Sequence, residues 1–98
     1  MSPKAEILSR MRKNFDEFKA YKVKKLGLFG SFAAARQTSG SDIDILVEFE
    51  RGGKTFDNYM GLKFFLEERL GRSVDLVIID GIKPALREEI LKEVKYAA

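Results

Sequence analysis

The stretch "LFGSFAAARQTSGSDIDILVEF", residues 28–49, decides the fold of this 98-residue chain. It ends in an apolar strand pattern that two aspartates, Asp42 and Asp44, interrupt. Side chains two residues apart on a strand share a face, with Cα atoms about 6.5 to 7 Å apart, so the two carboxylates point the same way. The opposite, buried face is taken by Ile43, Ile45 and Val47, and a one-residue slip would bury the acids. The strand must therefore place both carboxylates on the face that is opposite its buried side chains.

Two carboxylates this close repel each other, and a divalent cation relieves the repulsion because hard cations prefer oxygen ligands. A third acid, Asp75, interrupts another apolar run, "SVDLVII". If the two strands are neighbours, Asp75 lies beside Asp42 and Asp44, and the sequence predicts a metal site there. The alternatives are a salt bridge from Asp75 to Arg69 or Arg72, or a turn residue at the strand end.

Gly30 and Ser31 follow the first strand directly. A glycine at the end of a strand and at the start of a helix leaves backbone N–H groups unpaired, which favours phosphate oxygens at that point. The alternative interpretation is a simple turn with an N-cap. Ten residues separate Ser31 from Asp42, so a phosphate bound at the helix start would be near cations bound by the acids.

The remaining sequence predicts the order α-β-α-β-α-β-α, an α+β fold with a small sheet covered by helices. Strands are predicted at residues 23–29, 42–49 and 73–79. Helices are predicted from the Ser2-Pro3 cap to about Tyr21, in "GSFAAA", from the Thr55 cap to Gly71, and from Pro84 onward. The buried face of the third helix is predicted to carry Phe56, Tyr59, Leu62, Leu66 and Leu70. That of the last helix is predicted to carry Leu86, Ile90, Leu91 and Val94.

The composition limits the chemistry that this chain can perform. It has no cysteine and no histidine, which excludes Cys/His zinc sites, thiol nucleophiles and Ser-His-Asp triads. No apolar run reaches the roughly 18 to 20 residues of a membrane span, and the N-terminus lacks the apolar block of a secretion signal. We therefore expect one domain, residues 1–98, in the cytoplasm, with no membrane partner.

The combination of Gly30-Ser31, ten residues, Asp42-x-Asp44, "LGRSVDLV" and "ALREEILKE" resembles the minimal nucleotidyltransferases, the MNT or MntA-type proteins. These belong to the DNA polymerase beta-like nucleotidyltransferase superfamily. The resemblance implies the palm-like fold, with a mixed sheet of about three or four strands flanked by helices. It also implies transfer of a nucleoside monophosphate, AMP from ATP, to an acceptor hydroxyl.

Carried over residue by residue, the resemblance implies that Asp42, Asp44 and Asp75 are catalytic and bind two Mg²⁺ ions, with Mn²⁺ as an alternative. Gly30 and Ser31 match the residues that hold the triphosphate. Relatives commonly have Arg-Gly where this chain has Ala34-Ala35, with an arginine displaced to Arg36. Arg36 is therefore the expected phosphate contact, and the alternative is a solvated loop charge.

The resemblance further implies a role as the antitoxin of a HEPN-domain ribonuclease toxin, in which the chain adenylylates a toxin tyrosine. Three alternatives are a nucleotide-binding antitoxin that acts by complex formation alone, a transferase acting on a small molecule, and a basic nucleic-acid-binding domain. The last rests on the net charge of +3 and on lysines in the first strand, where lysines usually protect an edge, so no direct nucleic-acid contact is expected. A homo-oligomer is compatible with the sequence.

Overall fold

The computed structural model describes residues 2–97 and contains a four-stranded sheet between helices. Strand β2 lies at the centre of the sheet, parallel to β3 and antiparallel to β1, and β1 is antiparallel to β4. The strands lie in the spatial order β3-β2-β1-β4. Their bounds are β1 Val23–Phe29, β2 Ile43–Phe49, β3 Val74–Ile78 and β4 Lys95–Tyr96. The predicted α+β class with a small mixed sheet is confirmed.

Five α-helices are described, and local sequence explains where several of them begin and end. Their bounds are α1 Pro3–Lys13, α2 Phe15–Phe18, α3 Gly30–Ala33, α4 Phe56–Leu70 and α5 Pro84–Glu93. The Ser2 hydroxyl accepts from the Ala5 N–H, and the Thr55 hydroxyl accepts from the Asn58 N–H. Gly71 ends α4 in the left-handed conformation. The predicted caps of these two helices are therefore confirmed.

Three predicted boundaries differ from the structure. The first helix does not continue to Tyr21, because Asn14 leaves the helical conformation and bonds the Arg10 carbonyl through both its backbone N–H and its side chain. A short α2 and a 3₁₀ turn at Lys19–Tyr21 follow it. The second strand begins at Ile43, one residue after Asp42, and the third is shorter than predicted because a 3₁₀ turn, Ile79–Gly81, follows it.

The main core lies on one face of the sheet. Helices α1, α2 and α4 cover this face, and the core residues from β2 are Ile43, Ile45 and Val47. The other face carries a smaller cluster in which residues near α5 pack on the sheet: Phe29, Leu46, Ile82 and Val94, with Ile90 beside them. The alternation predicted for β2 is therefore confirmed.

Three residues predicted to face the core are exposed. Phe56 is 77% exposed, because it is in the first turn of α4, on the side away from Leu62 and Leu66. Leu86 and Leu91 of α5 are also exposed, whereas Ile90 of α5 and Val94 just after it pack with Phe29 and Leu46 of the sheet.

Strand β4 was not predicted as a separate strand, and it closes the second edge of the sheet. It has two residues, which is too short for a periodic pattern to indicate it. It pairs with Gly27 and Leu28 of β1. Within residues 2–97, the helices are all too short or too polar to cross a bilayer.

Candidate active site

Asp44 and Asp75 face each other on neighbouring strands. In the parallel ladder of β2 and β3, Ile43 pairs with Val74 and Asp44 pairs with Asp75. Such neighbours lie about 4.8 Å apart at Cα and project from the same face of the sheet. Because Ile43 is fully buried on the opposite face, Asp44 is held on this one. The prediction that the second and third strands are adjacent in the sheet is confirmed.

Gly30 lies directly against Asp44. The last residue of β1, Phe29, pairs with Asp44, and Gly30 then turns the chain with a φ of +70°. A Cβ atom on Gly30 would collide with the Asp44 carboxylate and would lie 2.9 Å from its Cγ. Glycine is therefore required here both by the backbone conformation and by the close approach of the acid.

The electrostatics of the site centre on Asp44. Burial raises the pKa of the Asp44 carboxyl above its ordinary value, and the negative charges of Asp75 and Asp42 raise it further. A side-chain hydrogen bond with Asp75 acts in the same direction, while the backbone N–H of Ser31 donates to Asp44 and lowers the pKa. Asp42 and Asp75 are thus both close enough to act on Asp44, and the Ser31 N–H contacts Asp44.

Asp42 lies at the end of the loop that joins α3 to β2, and Arg72 holds this loop. The Arg72 guanidinium donates to the carbonyls of Thr38, Ser39 and Ser41, at 3.2, 2.6 and 3.2 Å. It also lies over the Phe32 ring, 5.2 Å from its centroid. Arg72 therefore fixes the backbone immediately before Asp42.

The sequence had suggested Arg69 or Arg72 as salt-bridge partners of Asp75, and this alternative is wrong. Arg72 bonds the loop, and Arg69 pairs with Glu17 at 3.1 Å. Asp75 is exposed and has no ion pair within the described part of the chain. The role of Arg72 was missed because its acceptors lie 31 to 34 residues away, and the only signal was an arginine three residues before Asp75.

Arg36 follows the short helix α3 and is exposed. Its backbone N–H donates to the Ser31 carbonyl at 2.8 Å. The preceding residue, Ala35, adopts a φ of 57°, in the left-handed region that favours glycine. For residues 2–97, the structure records no ion pair or hydrogen bond of the Arg36 side chain, so it does not join Arg36 to the three acids.

The donor set of the site fits a magnesium–nucleotide complex. Within residues 2–97, no three acidic side chains converge closely enough to hold an ion alone. The predicted acids are therefore neighbours without being a preformed cage. Mg²⁺ is usually bound by one or two carboxylates together with substrate phosphates, and the close pair Asp44 and Asp75 supplies this kind of site. Burial and the negative charges of Asp75 and Asp42 raise the pKa of Asp44, and a bound cation would offset these charges.

A family model and similar sequences all identify the same protein family for this chain. Residues 6–97 match the model of the nucleotidyltransferase domain. A Methanocaldococcus jannaschii relative named as a protein adenylyltransferase is 46% identical over 71 residues, 72% of this chain and 75% of the relative. The protein adenylyltransferase MntA of Thermococcus cleftensis is 34% identical over 90 residues, 92% of this chain and 88% of MntA.

Solved structures that are similar to this chain include a nucleotidyltransferase and toxin–antitoxin structures. A minimal nucleotidyltransferase superposes with a TM-score of 0.80 and 35% identity, covering 97% of this chain and 95% of the other. A toxin–antitoxin structure with AMP-PNP gives 0.67 and 26%, covering 89% and 72%. A MntA–HepT toxin–antitoxin structure gives 0.56 and 26%, covering 98% and 69%. With its glycine against an acidic strand pair and a family match across residues 6–97, this chain belongs to the nucleotidyltransferase domain family and is an enzyme of that class.

Proposed function

We propose that this chain transfers AMP from ATP to a tyrosine hydroxyl of a partner HEPN-domain ribonuclease toxin, and that it acts as the antitoxin. The observation that carries the proposal is the pairing of Asp44 with Asp75, with Gly30 packed against Asp44. An acidic pair beside a backbone turn suits a nucleotide whose phosphates are bridged by cations. The same face of the sheet leaves Asp75 exposed for an incoming acceptor.

In this proposal Asp42, Asp44 and Asp75 hold two Mg²⁺ ions, and the turn at Gly30 and Ser31 receives the triphosphate. The ions supply charge compensation for the phosphate oxygens. Asp44 is the most constrained of the acids, since Gly30 and the Ser31 N–H contact it. Arg36, on the following loop, is assigned to the outer phosphates.

The transfer replaces one phosphoanhydride bond of ATP with one phosphate ester bond to the tyrosine. The tyrosine oxygen attacks the α-phosphorus, the bond from that phosphorus to the bridging oxygen breaks, and pyrophosphate leaves. Asp75, as the exposed acid of the pair, receives the tyrosine proton. The site's contribution is mainly positioning and electrostatic stabilisation of the transferred group.

The choice of a protein acceptor rests on the relatives. Two similar sequences carry the name of protein adenylyltransferases, and two similar structures are of toxin–antitoxin systems, one of them with AMP-PNP. These similarities support an adenosine nucleotide as donor and a toxin as acceptor.

The proposal is tested by label transfer from ATP labelled on the α-phosphate to the protein encoded beside this one, in Mg²⁺. We expect wild type to label that protein and Asp44→Asn to label it at least 100-fold more slowly, since the variant loses a charge at the metal site. Glu89→Gln on exposed α5 is the matched control and should behave as wild type. Equal labelling by Asp44→Asn would contradict the assignment of the site.

A second candidate is an antitoxin that binds nucleotide and toxin without catalysis. It is favoured by Ala34 at the position where the resemblance to the minimal nucleotidyltransferases implies an arginine. It is also favoured because, within residues 2–97, no hydrogen bond or ion pair joins the Arg36 side chain to the acids. In this case the toxin is neutralised equally by wild type and by Asp44→Asn, and no label is transferred. A transferase acting on a small molecule would instead label that molecule and leave the toxin active.

A further inference from the structure

Strand β3 carries Asp75 at one edge of the sheet, where β2 is its neighbouring strand. The backbone groups of successive residues in a strand point alternately to its two sides. The Ile43 N–H of β2 donates to the Ser73 carbonyl at 2.9 Å, so the backbone groups of Ser73 and Asp75 point toward β2. The backbone groups of Val74 and Leu76, the two neighbours of Asp75, therefore point away from β2.

Two side chains of α4 bond these outward-facing groups, one before Asp75 and one after it. The Glu67 carboxylate accepts from the Val74 N–H at 2.9 Å. The Tyr59 hydroxyl donates to the Leu76 carbonyl at 2.6 Å. Both side chains are half-buried, which shields the two bonds partly from water. Helix α4 therefore holds the outer side of β3 at the two residues that flank Asp75.

The Asp75 carboxylate depends on this backbone for its position. It is exposed, and within residues 2–97 no ion pair holds it. Strand β3 has five residues and lies at the edge of the sheet, so its pairing with β2 restrains one side of it alone. A shift of β3 along β2 would change the distance from Asp75 to Asp44, its partner in the ladder.

We propose that Tyr59 and Glu67 are positioning residues, which keep Asp75 beside Asp44 for nucleotidyl transfer by bonding the backbone on both sides of Asp75. The inference rests on the proposed function, in which Asp75 binds a metal ion and receives the acceptor proton. A catalytic group that is misplaced by about 1 Å can slow a reaction about 100-fold. The two α4 bonds therefore affect the rate of transfer, and they do so through β3 without contact to the substrate.

Covering a sheet edge is a purely structural role that the same two bonds would also serve. If that role were the whole of their contribution, removal of a bond would lower stability and leave turnover unchanged. A positioning role lowers kcat, and the loss disappears when the Asp75 carboxylate is removed. The two roles are therefore distinguished by kcat and by its dependence on Asp75.

The test measures kcat, and KM for ATP, in label transfer from ATP labelled on the α-phosphate to the protein encoded beside this one. Tyr59→Phe removes only the hydroxyl, and we expect kcat to fall about 10-fold while KM changes less than about 2-fold. Glu67→Ala removes the acceptor of the Val74 N–H and should cause a similar loss. Glu67→Gln keeps an oxygen acceptor on a side chain of the same length and should retain kcat within about 3-fold of wild type.

Asp75→Asn is the background that reveals whether Tyr59 acts through Asp75. In residual transfer measured with enzyme in excess, Tyr59→Phe should slow Asp75→Asn by less than about 2-fold, because the effects of coupled residues are not additive. Asn58→Ala is the matched control, since the Asn58 side chain donates to the Gly53 carbonyl at 2.9 Å, a bond of the same kind from the same helix. It should lower the melting temperature without lowering kcat.

Amide hydrogen exchange, measured by NMR without ligands, reports how firmly β3 is held. The Asp75 and Val77 N–H groups, which point toward β2, should exchange at least about 3-fold faster in Tyr59→Phe than in Asn58→Ala. Wild-type kcat in both Tyr59→Phe and Glu67→Ala would overturn the inference and leave the proposed function intact. Unchanged exchange, or an equal loss from Tyr59→Phe in the Asp75→Asn background, would do the same. Absence of transfer by wild type would overturn both.

Discussion

Ala35 is the residue of the loop after α3 whose backbone conformation is strained. Its φ of 57° lies where a Cβ atom is strained, at a cost of roughly 1 kcal/mol. The resemblance to the minimal nucleotidyltransferases implies a glycine at this position, and glycine adopts this conformation without strain.

We expect Ala35→Gly to raise the free energy of unfolding by about 0.5 to 1 kcal/mol, because the relieved strain exceeds the added entropy of the unfolded chain. Urea denaturation of both proteins measures the difference. Ala34→Gly, at the helical end of α3, is the matched control and should be neutral or destabilising. A loss of stability in Ala35→Gly would contradict the strain at this position.

The pKa of Asp44 gives a second prediction at this scale. Because the pKa is raised in the folded chain, the folded state binds the proton more tightly than the unfolded state, and stability is lost as the pH rises through this pKa. In the presence of a chelator at neutral pH, Asp44→Asn should therefore melt at a higher temperature than wild type. The gain should disappear at a pH below the ordinary pKa of an aspartate.

Addition of Mg²⁺ and ATP tests whether the acids, which lower the melting temperature of the free protein, raise it when ligand is bound. Ligands that bind only the folded state raise the melting temperature. We expect the melting temperature of wild type to rise more than that of Asp44→Asn. The difference between the two melting temperatures should therefore become smaller or change sign. A melting temperature of Asp44→Asn that is lower than that of wild type in chelator would contradict the repulsion among the acids.

At the scale of elements, the loop before β2 depends on a residue between α4 and β3. Arg72 donates to three loop carbonyls, and a lysine keeps the charge but lacks the planar fork that reaches all three. Arg72→Lys should lower the free energy of unfolding by about 1 to 2 kcal/mol. It should also slow nucleotidyl transfer by about 10- to 100-fold, because Asp42 is no longer held in place.

Arg87→Lys is the control for this prediction, since Arg87 is on the exposed surface of α5. It should change neither quantity. If Arg72→Lys lowers stability and leaves the transfer rate unchanged, Arg72 is structural only and does not position Asp42.

The elements also show which parts of the fold could be read from the sequence. The caps Ser2, Thr55 and Gly71 are local signals, and the two-residue alternation around Asp44 fixes its face of the sheet. Asn14 was missed because a polar residue at one helical position does not show that the chain leaves the helix there. The role of Arg72 was missed because it depends on a contact between distant segments, which no short pattern contains.

At the scale of the whole molecule, stability is concentrated on one face of the sheet. The larger core contains Leu66, while the cluster beside α5 is small and leaves Leu86 half exposed. Leu66→Ala should lower the free energy of unfolding by about 2 to 5 kcal/mol, a large part of the total for a domain of this size. Leu86→Ala should cost less than about 1 kcal/mol. Chemical denaturation of both variants compares the two faces, and equal losses would contradict this distribution.

The exposed Phe56 of α4 shows why the sequence could not assign every apolar residue to the core. Phe56 fits the periodic pattern of a helix, yet periodicity alone cannot distinguish a residue that faces the core from one that faces solvent. Only the packing of the complete fold, with Leu62 and Leu66 against the sheet, decides between them.

The parallel pairing of Asp44 with Asp75 has a consequence for the time at which activity appears during synthesis. The two acids are separated in the chain by the whole of α4, and β3 must cross over to reach β2. A nascent chain therefore cannot pair Asp44 with Asp75 until β3 has emerged from the ribosome. A polypeptide whose synthesis stops inside α4 would contain the glycine turn and Asp44 but would lack Asp75, the third acid of the proposed site. The proposed site is thus completed by one of the last long-range contacts to form as the chain is made.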